Sequence, residues 1–402
     1  MKKRKNYGRK IKRSKINLYP KRKTKTQKII GTVLLIVIIL AVIFLGYCLG
    51  KPLLEYFRLN TDGIFSDNPA WTPPATSTQA EEIPEDAEQN ASDSTALDTA
   101  EPEETVPAEK TDIYSVSVPV SALSNSASLS AFASKAASEG YTAAAVNLKD
   151  SSGYLFYNSQ LETVKDSDII LGMLTASEIY GILNQNGLTP VARISVLADN
   201  EGCKLNPDMC YKIVDEPEIS WLDYYTTGEP LRWANPEAPS TAEYNNAVIG
   251  ELKAAGYENI VLTDIIFPDF QEYDKEFLAL RYFSADRYKM LASVVFENTA
   301  LLVRSDDIIL NNMSGSAEVL KNKSALGTNT VIVSINRSSF AEEGGYPAGA
   351  EALLEDIMAQ VSAKFAGINL SPMVSRSEFS AEEIAKMKET AKSFGYQDFY
   401  VS

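Results

Sequence analysis

Residues 252–265 read LKAAGYENIVLTDI: the last turns of an Ala-rich helix, a glycine, an aromatic residue and a short apolar strand. The same phrase recurs as AASEGYTAAAVNL at 136–148, ILNQNGLTPVARI at 182–194, AKFAGINLSPM at 363–373 and AKSFGYQDFYVS at 391–402. Glycine at that point gives a helix C-terminus the left-handed residue it uses before the chain turns into a strand. Repetition of helix, glycine and strand implies parallel strands joined by helical crossovers. Eight strands are predicted, at 114–120, 142–148, 190–196, 259–265, 307–313, 329–335, 367–372 and 398–401. Helices are predicted at 129–138, 176–185, 241–255, 285–303, 348–363 and 381–394. Eight parallel strands over roughly 290 residues fit an α/β fold, a TIM-like (β/α)8 barrel spanning 113–402. An open doubly wound sheet is the alternative. It wants a Gly-rich phosphate turn after the first strand, and SVPVSALSNSAS at 117–128 offers none.

Upstream of the barrel the chain divides into three. Residues 29–50, IIGTVLLIVIILAVIFLGYCLG, form a run of 22 without a charge. At about 1.5 Å per residue this length crosses a ~30 Å hydrocarbon core, so a single transmembrane helix is predicted. A cleaved signal peptide has a shorter apolar region, and Tyr47 is bulky where a lipoprotein cleavage box needs a small residue. Residues 1–28 carry fourteen Lys and Arg and no acid, within a chain of net charge −15. Such a flank is retained on the cytoplasmic side, which sets the C-terminal bulk outside the cell membrane. Beside a span, the basic tail reads as a partner for an anionic leaflet of the lipid bilayer, and no nucleic acid partner is expected. Residues 51–112, acidic and rich in Pro, Ser and Thr, read as a disordered linker.

The chain contains no histidine. That excludes Ser-His-Asp and Cys-His nucleophiles and His-ligated zinc, and leaves carboxylates, Lys, Tyr and Arg for any chemistry. No cofactor and no metal is expected. Cys203 and Cys210 stand in the long segment after the third strand, where a small-loop disulfide and two buried free thiols are equally open readings.

In such a barrel the C-terminal strand ends and the loops after them carry function. Taking apolar residues as facing the helices, alternation turns Asn147 and Lys149 inward on the second strand, with Arg193 and Ser195 on the third. Ser115 and Ser117, Asn311, Ser334 and Asn336, and Asn369 and Ser371 follow on the first, fifth, sixth and seventh. Glycoside hydrolysis needs two carboxylates, one as acid and one as nucleophile or base. Asp264 at the end of the fourth strand and Asp150 just past the second are the catalytic candidates, with Asp269, Glu272 and Asp199 behind them. Asp150 precedes Ser-Ser-Gly, which also suits a turn. In the insertion at 195–240, Trp221, Tyr224, Tyr225 and Trp233 are candidates to stack on sugar rings, or to form a local core under the loop.

Five phrases, NLKDSSG at 147–153, VARI at 191–194, WLD at 221–223, WANP at 233–236 and GYENI at 256–260, together resemble a bacterial barrel family. That family is of glycoside-hydrolase type, distantly like the alpha-amylase-type barrels. The resemblance covers nearly all of 113–402 and implies a carbohydrate ligand, with envelope polysaccharide the natural candidate. It implies Asn147, Lys149, Arg193, Thr263 and Asn311 as substrate-binding positions beside Trp221, Tyr224 and Trp233. The family's fourth strand ends F-D-Y-I-R-F-P. Aligned on Phe267-Pro268, its aspartate falls on Thr263, its tyrosine on Asp264 and its arginine on Ile266. Asn147 replaces the acid of the second strand, and Ala198 the lysine after the third. Asn and Thr keep hydrogen bonding and discard proton transfer. Two expectations follow: a membrane-anchored cell-surface protein acting on a carbohydrate, or a catalytically inactive barrel that binds one.

Overall fold

The structure, a computed structural model, describes residues 112–402 apart from 227, 228, 311, 312 and 314. The predicted basic tail, transmembrane helix and nearly all of the linker, as well as Asn311, lie outside the described residues. Among those described, no helix is long and apolar enough to cross a membrane.

Eight parallel strands close into one barrel in sequence order. They are β1 (Tyr114–Ser117), β2 (Ala143–Lys149), β3 (Thr189–Ser195), β4 (Asn259–Thr263), β5 (Ala300–Arg304), β6 (Thr330–Ile335), β7 (Asn369–Val374) and β8 (Phe399–Val401). The principal helices outside them are α1 (Ser126–Ser138), α2 (Ala176–Gln185), α3 (Pro239–Ala254), α4 (Ala350–Lys364) and α5 (Ala381–Ser393). Their starts are set by side-chain caps. Thr175 and Glu178 exchange side-chain-to-backbone hydrogen bonds at the start of α2, as Ser380 and Glu383 do before α5, an arrangement that satisfies otherwise orphaned helical N–H groups.

All five glycines of the recurring phrase have positive φ, from 79° at Gly187 to 107° at Gly256. At Gly256 a Cβ would also lie 3.0 Å from the Tyr180 ring. The phrase therefore does in space what its composition implies: a left-handed residue ends the helix and feeds the next strand. Two apolar layers result. Ala145, Val191, Val261, Ile332, Met373 and Tyr400 fill the barrel, and a larger layer of Leu, Ile and Val packs the helices on its outside.

The fifth strand is not where the sequence puts it. Residues 285–303 are rich in Ala, Leu and Val and read as a helix, yet only Tyr288–Leu291 forms an α-helical turn, followed by a 3-10 turn at Ala292–Val294. Asn298 then takes left-handed backbone, φ 57°, and the apolar run after it pairs with β4 and β6. The predicted strand at 307–313 begins instead inside a short helix, Ser305–Ile309. The Asp307 carboxylate ties this turn to Ser316, accepting from its amide at 2.9 Å and its hydroxyl at 2.8 Å.

A second departure falls on β2. Asn147 pairs with Arg193 and Lys149 with Ile194, so two residues advance against one. Such a bulge breaks the alternation of faces. Asn147 stays in phase with Ala145 on the inner face, while Lys149 falls in register with outward-facing Ile194.

Candidate functional site

At the C-terminal end of the barrel, the inward-facing positions are Ser117, Asn147, Arg193, Thr263 and Ser334, with Asp264 just past β4. Each is half-buried, whereas the outward-facing Val146, Leu148, Ile194, Leu262 and Ile335 are sealed. Arg304 ends β5 in phase with Leu302, which packs with the barrel interior. These residues form an open polar mouth above an apolar plug. Below Arg193, an axial cavity of about 10 Å³, one water in size, is lined by Ser117, Val191, Leu302 and Tyr400 among others.

Arg193 is the cation at the centre. Its guanidinium donates to the Ser117 hydroxyl, and its Nε is sealed from solvent without a hydrogen-bond partner. Burial pushes the guanidinium below its ordinary value, with the Tyr400 phenol pulling the other way. Burial likewise lifts Tyr400 well above the ordinary phenol range, so it stays neutral.

Asp264 is the rim carboxylate. By strict alternation it would point away from Thr263's face. Its backbone is left-handed, φ 55°, a region that Asp tolerates better than most residues. The Thr263 hydroxyl donates to its carboxylate at 2.7 Å, so the acid folds back over the inward face. The carboxylate thus arrives beside the position of the family's aspartate from one residue further along the chain.

The other sequence candidates are employed elsewhere. Lys149 is fully buried and paired with Asp199 at 2.6 Å. Its ammonium also donates to the Ser195 carbonyl at 2.8 Å and to Asn245 of α3 at 3.4 Å. Asp199 in turn accepts from the Gly202 amide at 2.8 Å, capping the short helix Asn200–Leu205. Asp150 accepts from the amides of Ser152 at 3.0 Å and Tyr154 at 2.9 Å, the turn role its Ser-Ser-Gly neighbour suits. Ser195 is sealed, and Asn369 begins β7 at the opposite end of the barrel.

Trp221 and Trp233 are buried in the long loop. Their indoles donate to Asp274 at 2.9 Å and Asp223 at 3.0 Å, and Tyr211, Phe270 and Tyr282 pack edge to face into the same small core. Tyr224 stands out from that core, 54% exposed, beside Tyr225, whose ring lies 5.7 Å from that of Tyr273. These three exposed phenols, with Phe277 further along the loop after β4, form an aromatic surface beside the buried core of the loop. Cys203 and Cys210 are free and buried, with the Cys210 thiol donating to the Cys203 carbonyl at 3.3 Å.

Two contributors escaped the sequence reading. Arg304 was hidden by the misplaced fifth strand. Tyr273 sits in the loop after β4, where the run PDFQEY carries an aromatic pair that could have been weighed with Tyr225. A larger concavity, about 560 Å³, opens at the other end of the barrel between Glu258, Asn298, Lys323, Thr328 and Asp398. It lies at the strand starts, the face that stabilises rather than acts in barrels of this type.

The family described as "Putative glycosyl hydrolase domain" matches residues 115–327. The chain belongs to that family. In this member of the family the matched stretch runs from β1 to the turn before β6 and contains Asn147, Arg193, Thr263 and Asp264. Strands β6–β8 complete the barrel beyond it. No curated protein sequence matches. Among solved structures, the glycoside hydrolase domain of PgaB (BpsB) from Bordetella bronchiseptica is similar at 12% identity and TM-score 0.45, with 73% of this chain and 94% of that one covered. A hypothetical protein from Ruminiclostridium thermocellum is similar at 15% identity and TM-score 0.37, covering 56% of this chain and 98% of its own. The glycoside hydrolase domain of PelA from Pseudomonas aeruginosa is similar at 14% identity and TM-score 0.33, covering 72% and 94%.

Proposed function

We propose that the barrel binds a glycan of the bacterial cell envelope at its C-terminal mouth. It is held outside the cell membrane by a single-pass anchor at 29–50 and a linker at 51–112. The observation that carries the reading is the composition of the mouth: hydroxyls, an amide and Arg193 surround one carboxylate, Asp264. Hydroxyls and amides on rigid strand ends match the donors and acceptors of a sugar ring, and the exposed tyrosines supply a face for its apolar side. The anchor and orientation rest on the uncharged run and the basic flank of the sequence.

A hydrolytic reading has one observation in its favour, the Asp264 carboxylate held against the Thr263 hydroxyl at the end of β4. Hydrolysis by the usual route needs a second acid about 5–5.5 Å or 6.5–9.5 Å away. Of the acids near the strand ends, Asp150 is committed to a turn, Asp199 to Lys149 and Asp306 to Arg304, while Asp269 stands exposed in the loop after β4 and Glu272 pairs with Lys275. Binding is the reading put first, because it asks only for the hydroxyls, the amide and the guanidinium of the mouth and for no second acid. A panel of envelope polysaccharides tests it, scored for both affinity and release of reducing ends by the wild-type chain and Asp264→Asn. Binding without turnover, kept in the variant, supports the binding module. Turnover abolished by Asp264→Asn would establish a hydrolase, and failure to bind any glycan would sink both readings.

A further inference from the structure

Arg193 differs from five other arginines among the described residues in what it faces; Arg232, in the long loop, likewise has no carboxylate at ion-pair distance but lies outside the strands. Arg281 lies 2.6 Å from Glu237, Arg287 2.8 Å from Glu318, Arg337 2.5 Å from Glu383 and Arg376 3.8 Å from Glu139, while Arg304 is bonded to Asp306. No carboxylate lies within ion-pair distance of Arg193 among the described residues. A guanidinium offers five N–H donors in a planar fork, and among the described residues the acceptor it meets is the neutral hydroxyl of Ser117. Charged groups with a sealed donor, as Arg193 has in its Nε, are ordinarily paired. This one stands unpaired on the inner face of the barrel, at the floor of its open end. The acidic side chains nearby are spoken for: Asp199 and Asp306 by cations, Asp150 by backbone amides, and Asp264 by Thr263.

We infer that the glycan taken at this mouth is acidic, and that Arg193 receives its carboxylate or phosphate group. The inference rests on the proposed function and deepens it by naming the substrate class. A planar anion approaching along the barrel axis meets a fork whose geometry suits two parallel N–H···O bonds. It also supplies the negative charge that the fold withholds from Arg193. The surrounding low-dielectric wall of Val191, Val261, Leu302 and Met373 strengthens that pairing, while Asn147 and the Thr263–Asp264 pair remain for the neutral hydroxyls of the same ring. The carboxylate of Asp264 sets an order: the acidic group is drawn to the Arg193 side of the mouth and repelled from the β4 side.

The test is calorimetric titration of the full chain with three oligomers of equal length. One is oligogalacturonate, carrying carboxylates; one is a glycerol-phosphate oligomer bearing sugars, carrying phosphates; one is a neutral cello-oligosaccharide. The expected result is at least about tenfold tighter binding of one acidic oligomer than of the neutral one, a margin in keeping with a charge-assisted bidentate contact. That advantage should shrink as NaCl rises from about 50 to about 500 mM, with the neutral oligomer unaffected. Whichever acidic oligomer binds tells carboxylate from phosphate. Arg193→Lys, which keeps the charge but loses the fork, should lose most of the preference while still binding the neutral oligomer. The salt series needs no variant, so a misfolded substitution leaves the inference testable. Equal or tighter binding of the neutral oligomer overturns the acidic class and leaves the glycan reading standing. Inorganic phosphate alone competing at the affinity of the whole oligomer overturns it too, since the site would then be an anion hole without sugar contacts. Failure of all three oligomers counts against the glycan reading itself.

Discussion

Replacing Lys149 by Met tests whether this lysine holds the barrel together or serves the ligand. Its ammonium is fully enclosed, 2.6 Å from Asp199, 2.8 Å from the Ser195 carbonyl and 3.4 Å from Asn245. Methionine fills most of the stem and removes the charge. Asp199 is then left as a buried carboxylate with the Gly202 amide as its remaining partner. The other oxygen is closely walled, since a Cβ at Gly153 or Gly202 would lie 2.0 Å or 2.4 Å from Asp199 Oδ1. Removing one member of such a pair costs about 3–5 kcal/mol. With a urea m-value of about 3 kcal/mol/M, the unfolding midpoint falls by roughly 1–2 M. The assay is urea unfolding followed by far-UV circular dichroism. Adding Asp199→Leu should recover part of the loss, less about 1 kcal/mol for the helix cap it removes. A Lys149→Met chain destabilised by less than about 1 kcal/mol refutes the reasoning, because that is the worth of an exposed pair. So does a variant of wild-type stability that no longer binds glycan.

Other outcomes follow from the same geometry. Gly256→Ala forces an L side chain to φ 107° with its Cβ 3.0 Å from the Tyr180 ring, and thermal unfolding should report a loss of about 1–2 kcal/mol. Glu383 is held down at about 2 by Arg337 and by the amide and hydroxyl of Ser380. Its folded value lies below its unfolded one, so its stabilisation is full above about 4.5 and is lost as pH falls toward 2. Urea midpoints of wild type and Glu383→Gln should therefore differ at pH 7 and converge near pH 2; a constant gap contradicts the pairing. Tyr224→Ala should weaken glycan binding about tenfold while leaving the unfolding midpoint in place, since the ring is exposed and lies outside the core of the loop. Cys203 and Cys210 should resist a thiol reagent in the native chain and react fully in denaturant without reductant; absence of that reaction would mean a disulfide.

The barrel was legible because its signal is local and repeated. Helix, glycine and strand recur five times in the sequence, and each glycine adopts the backbone that only glycine takes cheaply. Family membership was legible for a similar reason, in short phrases around β2, β3 and β4. The fifth strand failed because Ala-Leu-Leu-Val suits either state. What decides it is pairing with Leu262 on one side and Val331 on the other, a contact between segments far apart in sequence. The site was half legible. Alternation correctly turned Asn147 and Arg193 inward, but one bulge between Asn147 and Lys149 carried the lysine to the other face. At Asp264 the error runs the other way. A left-handed residue turns back toward Thr263 a carboxylate that strict alternation sends outward. Period-two reasoning contains neither event, and both sit at strand ends beside the mouth, where bulges and unusual backbone concentrate.

The central claim is that ligand enters at the C-terminal mouth. Hydrogen–deuterium exchange of the full chain with and without the tightest-binding oligosaccharide tests it most directly. The expected result is slowed exchange at the ends of β2, β3 and β4, around Asn147, Arg193 and Asp264, and in the loop bearing Tyr224. Protection confined to the strand starts around Glu258, Asn298 and Thr328, where the larger concavity opens, would contradict the account and move the binding site to the other end of the barrel.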